Sequence, residues 1–167
     1  MLRGLSTLSA LTSELLARLP TMTNEERRLG LEVYRQLARG EPVLRLSLAE
    51  ALDVPTHDVD ELLGHPNLKC LTYSDNDGRI IGFGGLAVRK MPHRFRIDGR
   101  TLYTWCAWDS RFLPGILDHE AEVDYIFFFP DRNNAAAWAR RQPDTTVISV
   151  SEAFELGRLM VRTRWRS

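Results

Sequence analysis

The chain has 167 residues, 44% of them hydrophobic and 26% charged, the composition of one ordinary globular domain, which excludes disordered and fibrous classes. Twenty-two Lys and Arg side chains balance twenty-two Asp and Glu, so the overall field draws in neither nucleic acid nor an anionic membrane, and a polyanion would need a local patch. With no secretory or membrane-spanning stretch in view, Cys70 and Cys106 are expected to be reduced thiols of a cytoplasmic protein rather than a disulfide framework.

In chain order, Leu5, Leu8, Leu11, Leu15, Leu16 and Leu19 recur at helical steps until Pro20. A second helix is expected over 23–39: Thr23 and Glu26 have capping-box spacing, Leu29, Val33 and Leu37 share a face, and Gly40 stands where a C-terminal glycine belongs. Residues 47–52 and 59–63, around Asp53-Val54-Pro55-Thr56, outline a helix-turn-helix. Apolar runs at 69–73 and 79–83 flank an Asp-Gly hairpin turn, completing a winged-helix-like unit. Three β-prone runs at 86–89, 93–97 and 101–105 then predict a small antiparallel sheet. A short helix or loop over 110–117 interrupted by Pro114, a strand over 123–129, a helix over 134–141 and a strand over 147–150 follow. A last helix over 151–162 is expected, with Ser151 as its cap and Phe154, Leu156, Leu159 and Met160 as its apolar contacts. The fold class is α+β: N-terminal helices and a winged-helix-like unit (1–84) packed on a small mixed or antiparallel sheet core with C-terminal helices (85–167).

The expected recognition helix argues against a DNA-binding regulator. Glu50, Asp53, Asp58, Asp60 and Glu61 cluster there with no Lys or Arg among them, which would repel phosphate. Positive charge collects instead at Arg79, Arg89, Lys90, Arg94, Arg96, Arg100 and Arg111, where it suits a solvated sheet edge or an acidic ligand. A second group, Arg158, Arg162, Arg164 and Arg166, suits the C-terminal end of the expected last helix.

Chemistry concentrates in Leu102-Tyr103-Thr104-Trp105-Cys106-Ala107-Trp108-Asp109, where a thiol stands three residues from a carboxylate between two tryptophans. A thiolate is a strong nucleophile and soft-metal ligand, and a nearby carboxylate can carry a proton or complete a coordination sphere. A buried core thiol and a helix-capping aspartate would account for the same spacing. Trp105, Trp108, Tyr103 and Phe112 could line an apolar pocket or serve as plain core.

The segment FRIDGRTLYTWCAWDSRFLPGIL, residues 95–117, resembles the active-site segment of the organomercurial (alkylmercury) lyases, with its Ile-Asp strand, its Leu-Tyr-x-Trp-Cys-Ala-x-Asp and its proline-containing apolar turn. The resemblance runs upstream through GEPVLRLSLAEALDVP and YSDNDGRIIGFG, and downstream through FFPDRNNAAAWA and TTVISVSEAFELG. It implies that Cys106 binds mercury and Asp109 shuttles a proton in the protonolysis of a carbon–mercury bond. The substrate would be a small organometallic compound, with a soft metal ion as substrate or product and no organic cofactor. The family's second active-site cysteine falls where this chain has Val123-Asp124, and the segment before it is shortened to residues 118–124. Asp124, His119 with Glu120, and Cys70 are candidates to replace the lost thiolate. A solvated turn would equally explain His119 and Glu120, and a half-buried strand thiol Cys70. His57, His65 and His93 show no zinc-ligand spacing. The alternative function is a diverged member that binds a metal ion or small organic ligand, or runs a different reaction, in the same Cys/Asp/Trp pocket.

Overall fold

The computed structural model describes residues 21–107, 109–129, 133, 134, 137, 145–153 and 156–165. The leucine stripe over 5–19, Trp108 and most of the helix expected at 134–141 lie outside them.

Helix α1 (Asn24–Leu37) begins with the expected capping box. The Thr23 hydroxyl accepts from Glu26 N at 3.1 Å and the Glu26 carboxylate accepts from Thr23 N at 2.8 Å, so two backbone donors that the helix leaves unpaired find partners. Its apolar stripe, Leu29, Val33 and Leu37, is fully buried. Helix α2 (Arg45–Leu52) stops at Asp53, which takes the left-handed conformation at φ 55°, a cap position that Asp tolerates better than most residues. Helix α3 (Thr56–Gly64) follows Pro55, and a single turn, α4 (Pro66–Lys69), precedes the hairpin of β1 (Thr72–Ser74) and β2 (Ile80–Phe83). At the hairpin tip the Asp75 carboxylate accepts from Asp77 N and Arg79 N, and Gly78 supplies a positive φ.

Strands β3 (Leu86–Ala87), β4 (His93–Ile97) and β5 (Arg100–Thr104) come next, then helix α5 (Asp109–Leu117) and strand β6 (Ala121–Phe129). Strands β7 (Thr145–Ala153) and β8 (Leu156–Trp165) complete an eight-stranded sheet in the order β1-β2-β3-β5-β4-β6-β8-β7, antiparallel at every pairing. The fold class is therefore α+β. The β2–β3 ladder pairs Gly82 with Ala87 and Phe83 with Leu86, so one sheet runs across residue 84. The apolar core is likewise continuous, from Leu29 and Leu48 in the helices to Phe95, Leu102 and Leu113 beyond the hairpin.

Where the helix over 151–162 is expected, residues 151–153 belong to β7 and 156–162 to β8, while Phe154 lies outside the described residues. The helical spacing of Phe154, Leu156, Leu159 and Met160 is outweighed by the hydrogen-bonding demand of β6, whose nine residues pair in register with Gly157–Trp165. A helix there would leave one edge of β6 without partners. Val147, Val150, Val161 and Thr163 also suit a pleated surface. Arg158, Arg162 and Arg164 consequently lie along a strand rather than at a helix terminus. The strand expected over 69–73 is formed only at Thr72–Ser74, and the remaining expected strands differ at their ends by up to three residues, the usual ambiguity at element ends.

Candidate functional site

The Cys/Asp motif occupies the end of the sheet where β5 runs out. Thr104, fully buried, pairs with Leu86 on one side and His93 on the other. Its hydroxyl donates to the Cys106 carbonyl at 3.1 Å, which turns the chain out of the sheet. Trp105 N donates to the Gly85 carbonyl at 3.0 Å, tying that bend to the β2–β3 turn. Cys106 is exposed, so it is a surface thiol and not a core one. Its backbone N–H donates to Asp109 Oδ2 at 2.8 Å, closing a tight turn in which the carboxylate folds back on the cysteine's own amide. Ser110 reinforces the turn by donating to the Ala107 carbonyl at 2.8 Å.

Groups that the sequence motif does not contain meet the other side of the Asp109 carboxyl. Gly84 and Gly85 both have positive φ, +46° and +93°, and a Cβ on Gly85 would stand 2.5 Å from Asp109 Cγ. Tyr34, from α1, donates its hydroxyl to the Gly84 carbonyl at 2.8 Å. Burial, helped by the Asp109 charge, pushes the Tyr34 phenol up to about 12, so it stays a neutral donor. His93 is half-buried; burial pulls its pKa below the ordinary histidine value, and the Asp109 carboxylate partly opposes that pull. No spacing rule could have found Tyr34, 75 residues before Asp109 in sequence. The adjacent glycines of Gly82-Phe83-Gly84-Gly85 were the one signal available, since consecutive glycines mark a close backbone approach.

Aromatic side chains flank Cys106 in sequence. Trp105 meets Tyr73 of β1 edge-to-face, with ring centroids 4.9 Å apart. Tyr103 is half-buried on β5, in register with Ala87 and Arg94, and Phe112 is 38% exposed on α5. Clefts in the helical part, such as that lined by Arg28, Leu52, Val54, Leu62 and His65, do not include the Cys106 turn.

The sequence model of the family described as alkylmercury lyase matches residues 86–125, the segment that holds Thr104, Cys106 and Asp109. Curated alkylmercury lyases are similar over most of the chain. That of Pseudomonas putida is 29% identical over 179 aligned positions, covering 79% of this chain and 82% of the relative. That of Staphylococcus epidermidis is 27% identical, covering 75% and 78%, and that of Bacillus cereus 27%, covering 77% and 78%. The chain is thus similar to alkylmercury lyases along most of its length, at 27–29% identity. Among solved structures, the mercury-bound form of MerB2 shares the fold at a TM-score of 0.53 and 24% identity, covering 68% of this chain and 53% of that one. The chain thus spans about half the length of that solved structure.

The other family-inspired candidates are dispersed. Asp124, on β6, is 6% exposed, and Arg96 of β4 holds both its oxygens, Nη1 to Oδ2 at 2.9 Å and Nη2 to Oδ1 at 2.8 Å. Arg96 also binds Glu122, and these two carboxylates push the guanidinium's pKa further up. His119 is exposed beside Asp98 at 3.5 Å, at the β4–β5 turn, so it lies at the opposite end of β5 from Cys106. Glu120 is exposed next to it. Cys70 is not a half-buried strand thiol: it follows α4, is exposed, and directs its thiol to the Asn67 carbonyl at 3.4 Å. Among the described residues, no three His, Cys, Asp or Glu side chains group as a metal site, and no helix is long and apolar enough to cross a membrane.

Proposed function

We propose that this chain cleaves carbon–mercury bonds by protonolysis, with Cys106 as the mercury-binding thiolate and Asp109 as the proton carrier. The observation that carries this reading is the pairing of an exposed thiol with a carboxylate anchored 2.8 Å from the same residue's backbone nitrogen, within the segment matched by the family model. Asp109 takes the thiol proton, and the Cys106 sulfur displaces the leaving ligand of R–Hg–X to give S–Hg–R. Electron donation from sulfur weakens the carbon–mercury bond. Asp109 then returns its proton to the carbon, R–H departs with the bonding electron pair, and mercury(II) stays on sulfur until an external thiol removes it. The substrate class is a small organomercurial, and mercury is substrate and product, not a resident cofactor.

A single-turnover assay with phenylmercury and excess low-molecular-weight thiol tests the reading by following benzene. Benzene release that Cys106→Ser and Asp109→Asn both abolish is the expected result. Tight capture of phenylmercury without benzene would replace the lyase with a metal- or organometal-binding protein. The engagement of Asp124 by Arg96 favours that second reading, because it removes one candidate for a second mercury ligand.

A further inference from the structure

We propose that Tyr34 and the Gly84-Gly85 turn form a seat that fixes the Asp109 carboxyl against the Cys106 amide, making Tyr34 and Gly85 positioning residues for proton delivery. The inference rests on the lyase reading of the same site. Three elements distant in sequence converge on one carboxyl group. From α1, the Tyr34 hydroxyl binds the Gly84 carbonyl at 2.8 Å, and its oxygen fills the place a Gly84 side chain would take. Gly84 N donates to the Leu71 carbonyl at 2.9 Å and the Gly85 carbonyl accepts from Trp105 N at 3.0 Å, so the turn is tied down on both sides. The Asp109 carboxyl lies against Gly85, in space where a Cβ would meet Cγ at 2.5 Å and Oδ1 at 2.8 Å. Its other oxygen, Oδ2, accepts from Cys106 N.

The arrangement limits how far Asp109 can move. One oxygen is held by the amide, the other backs onto glycine, and only a residue without a side chain leaves that room. Tyr34 also packs its ring edge-on against Phe83 at 5.0 Å, so the brace is rooted in the core. A proton carrier gains rate from being held in one geometry, and a displacement of about 1 Å can cost on the order of 100-fold.

Two substitutions test the seat in the full-length chain. Gly85→Ala adds a Cβ and strains a backbone at φ +93°; Tyr34→Phe removes the hydroxyl and keeps the ring. The Cys106 amide resonance in a 1H–15N spectrum reads the hydrogen bond to Asp109 without requiring turnover. Gly85→Ala should move it to the position seen in Asp109→Asn and lower kcat for benzene release by about 100-fold with KM little changed, while Tyr34→Phe should move it part-way and lower kcat about tenfold. A Cys106 amide that stays at its wild-type position in both variants overturns the seat, as does a displaced amide with unaltered kcat. If Gly85→Ala does not fold, Tyr34→Phe decides on the same two readouts. Absence of benzene from the wild-type protein would overturn the lyase reading instead, and the amide positions would still decide whether Tyr34 and Gly85 hold Asp109.

Discussion

Asp109 and Asp124 are both aspartates inside the segment matched by the alkylmercury lyase model, and the structure puts them to opposite uses. Asp109 begins a helix at the open end of the sheet, with one oxygen on a backbone amide and an exposed thiol three residues away. Asp124 stands within β6, buried, with both oxygens held by one guanidinium. A carboxylate bound by amide and glycine keeps access to the surface; one locked into a bidentate ion pair carries sheet structure instead. Residue type and proximity in sequence do not separate the two, but what donates to each oxygen does.

The sharpest way to break the contrast is at the reaction itself. Cys106→Ser should take benzene release from phenylmercury down to the uncatalysed background, and Asp109→Asn should lower it by about 10²- to 10⁴-fold, the range for a lost acid–base group. Circular dichroism melts should show both variants near wild-type stability; a large loss would mean that Asp109 is chiefly structural. Asp124→Asn should show the reverse pattern. Half of a buried, hydrogen-bonded ion pair is then missing, and urea titration should register a loss of about 3 kcal/mol. A loss below about 0.5 kcal/mol would place that pair with ordinary surface bridges and erase the distinction.

A smaller effect follows from His93. Its pKa is lowered in the fold, so as pH falls below the ordinary histidine value of about 6.5 the unfolded chain takes up a proton that the folded one resists. The sign is therefore fixed: this contribution to stability is present above about 6.5 and is lost as pH falls through the lower folded-state value. Denaturation midpoints between pH 7 and 5 should decline less steeply in His93→Asn than in the wild type, and identical slopes would remove His93 from the account. The smallest expected effect lies far from both aspartates: Thr23→Ala opens the α1 capping box and should cost about 1 kcal/mol with no change in benzene release.

Much of the fold was legible because local physics decided it. The Thr23–Glu26 box, the Leu29-Val33-Leu37 stripe, the Asp-Gly hairpin turn and the β-prone run over 93–97 each draw on neighbours within a few residues. The stretch over 156–162 departs from expectation for the opposite reason: its helical spacing is a local feature, whereas its strand state is set by pairing with β6. Cys70 falls outside the strand expected for it because the turn at Pro66–Lys69 delays the start of β1 to Thr72.

At the site, the sequence by itself determined that a thiol and a carboxylate stand three residues apart, close enough to meet in any tight turn. It could not determine their surroundings. That Tyr34 braces Gly84, that Gly85 leaves room for the Asp109 carboxyl, that His119 sits at the far end of β5 and that Arg96 occupies Asp124 all depend on contacts between residues well separated along the chain. Covalent spacing fixes what lies within one turn; packing of helices against a hydrogen-bonded sheet fixes what faces it from outside.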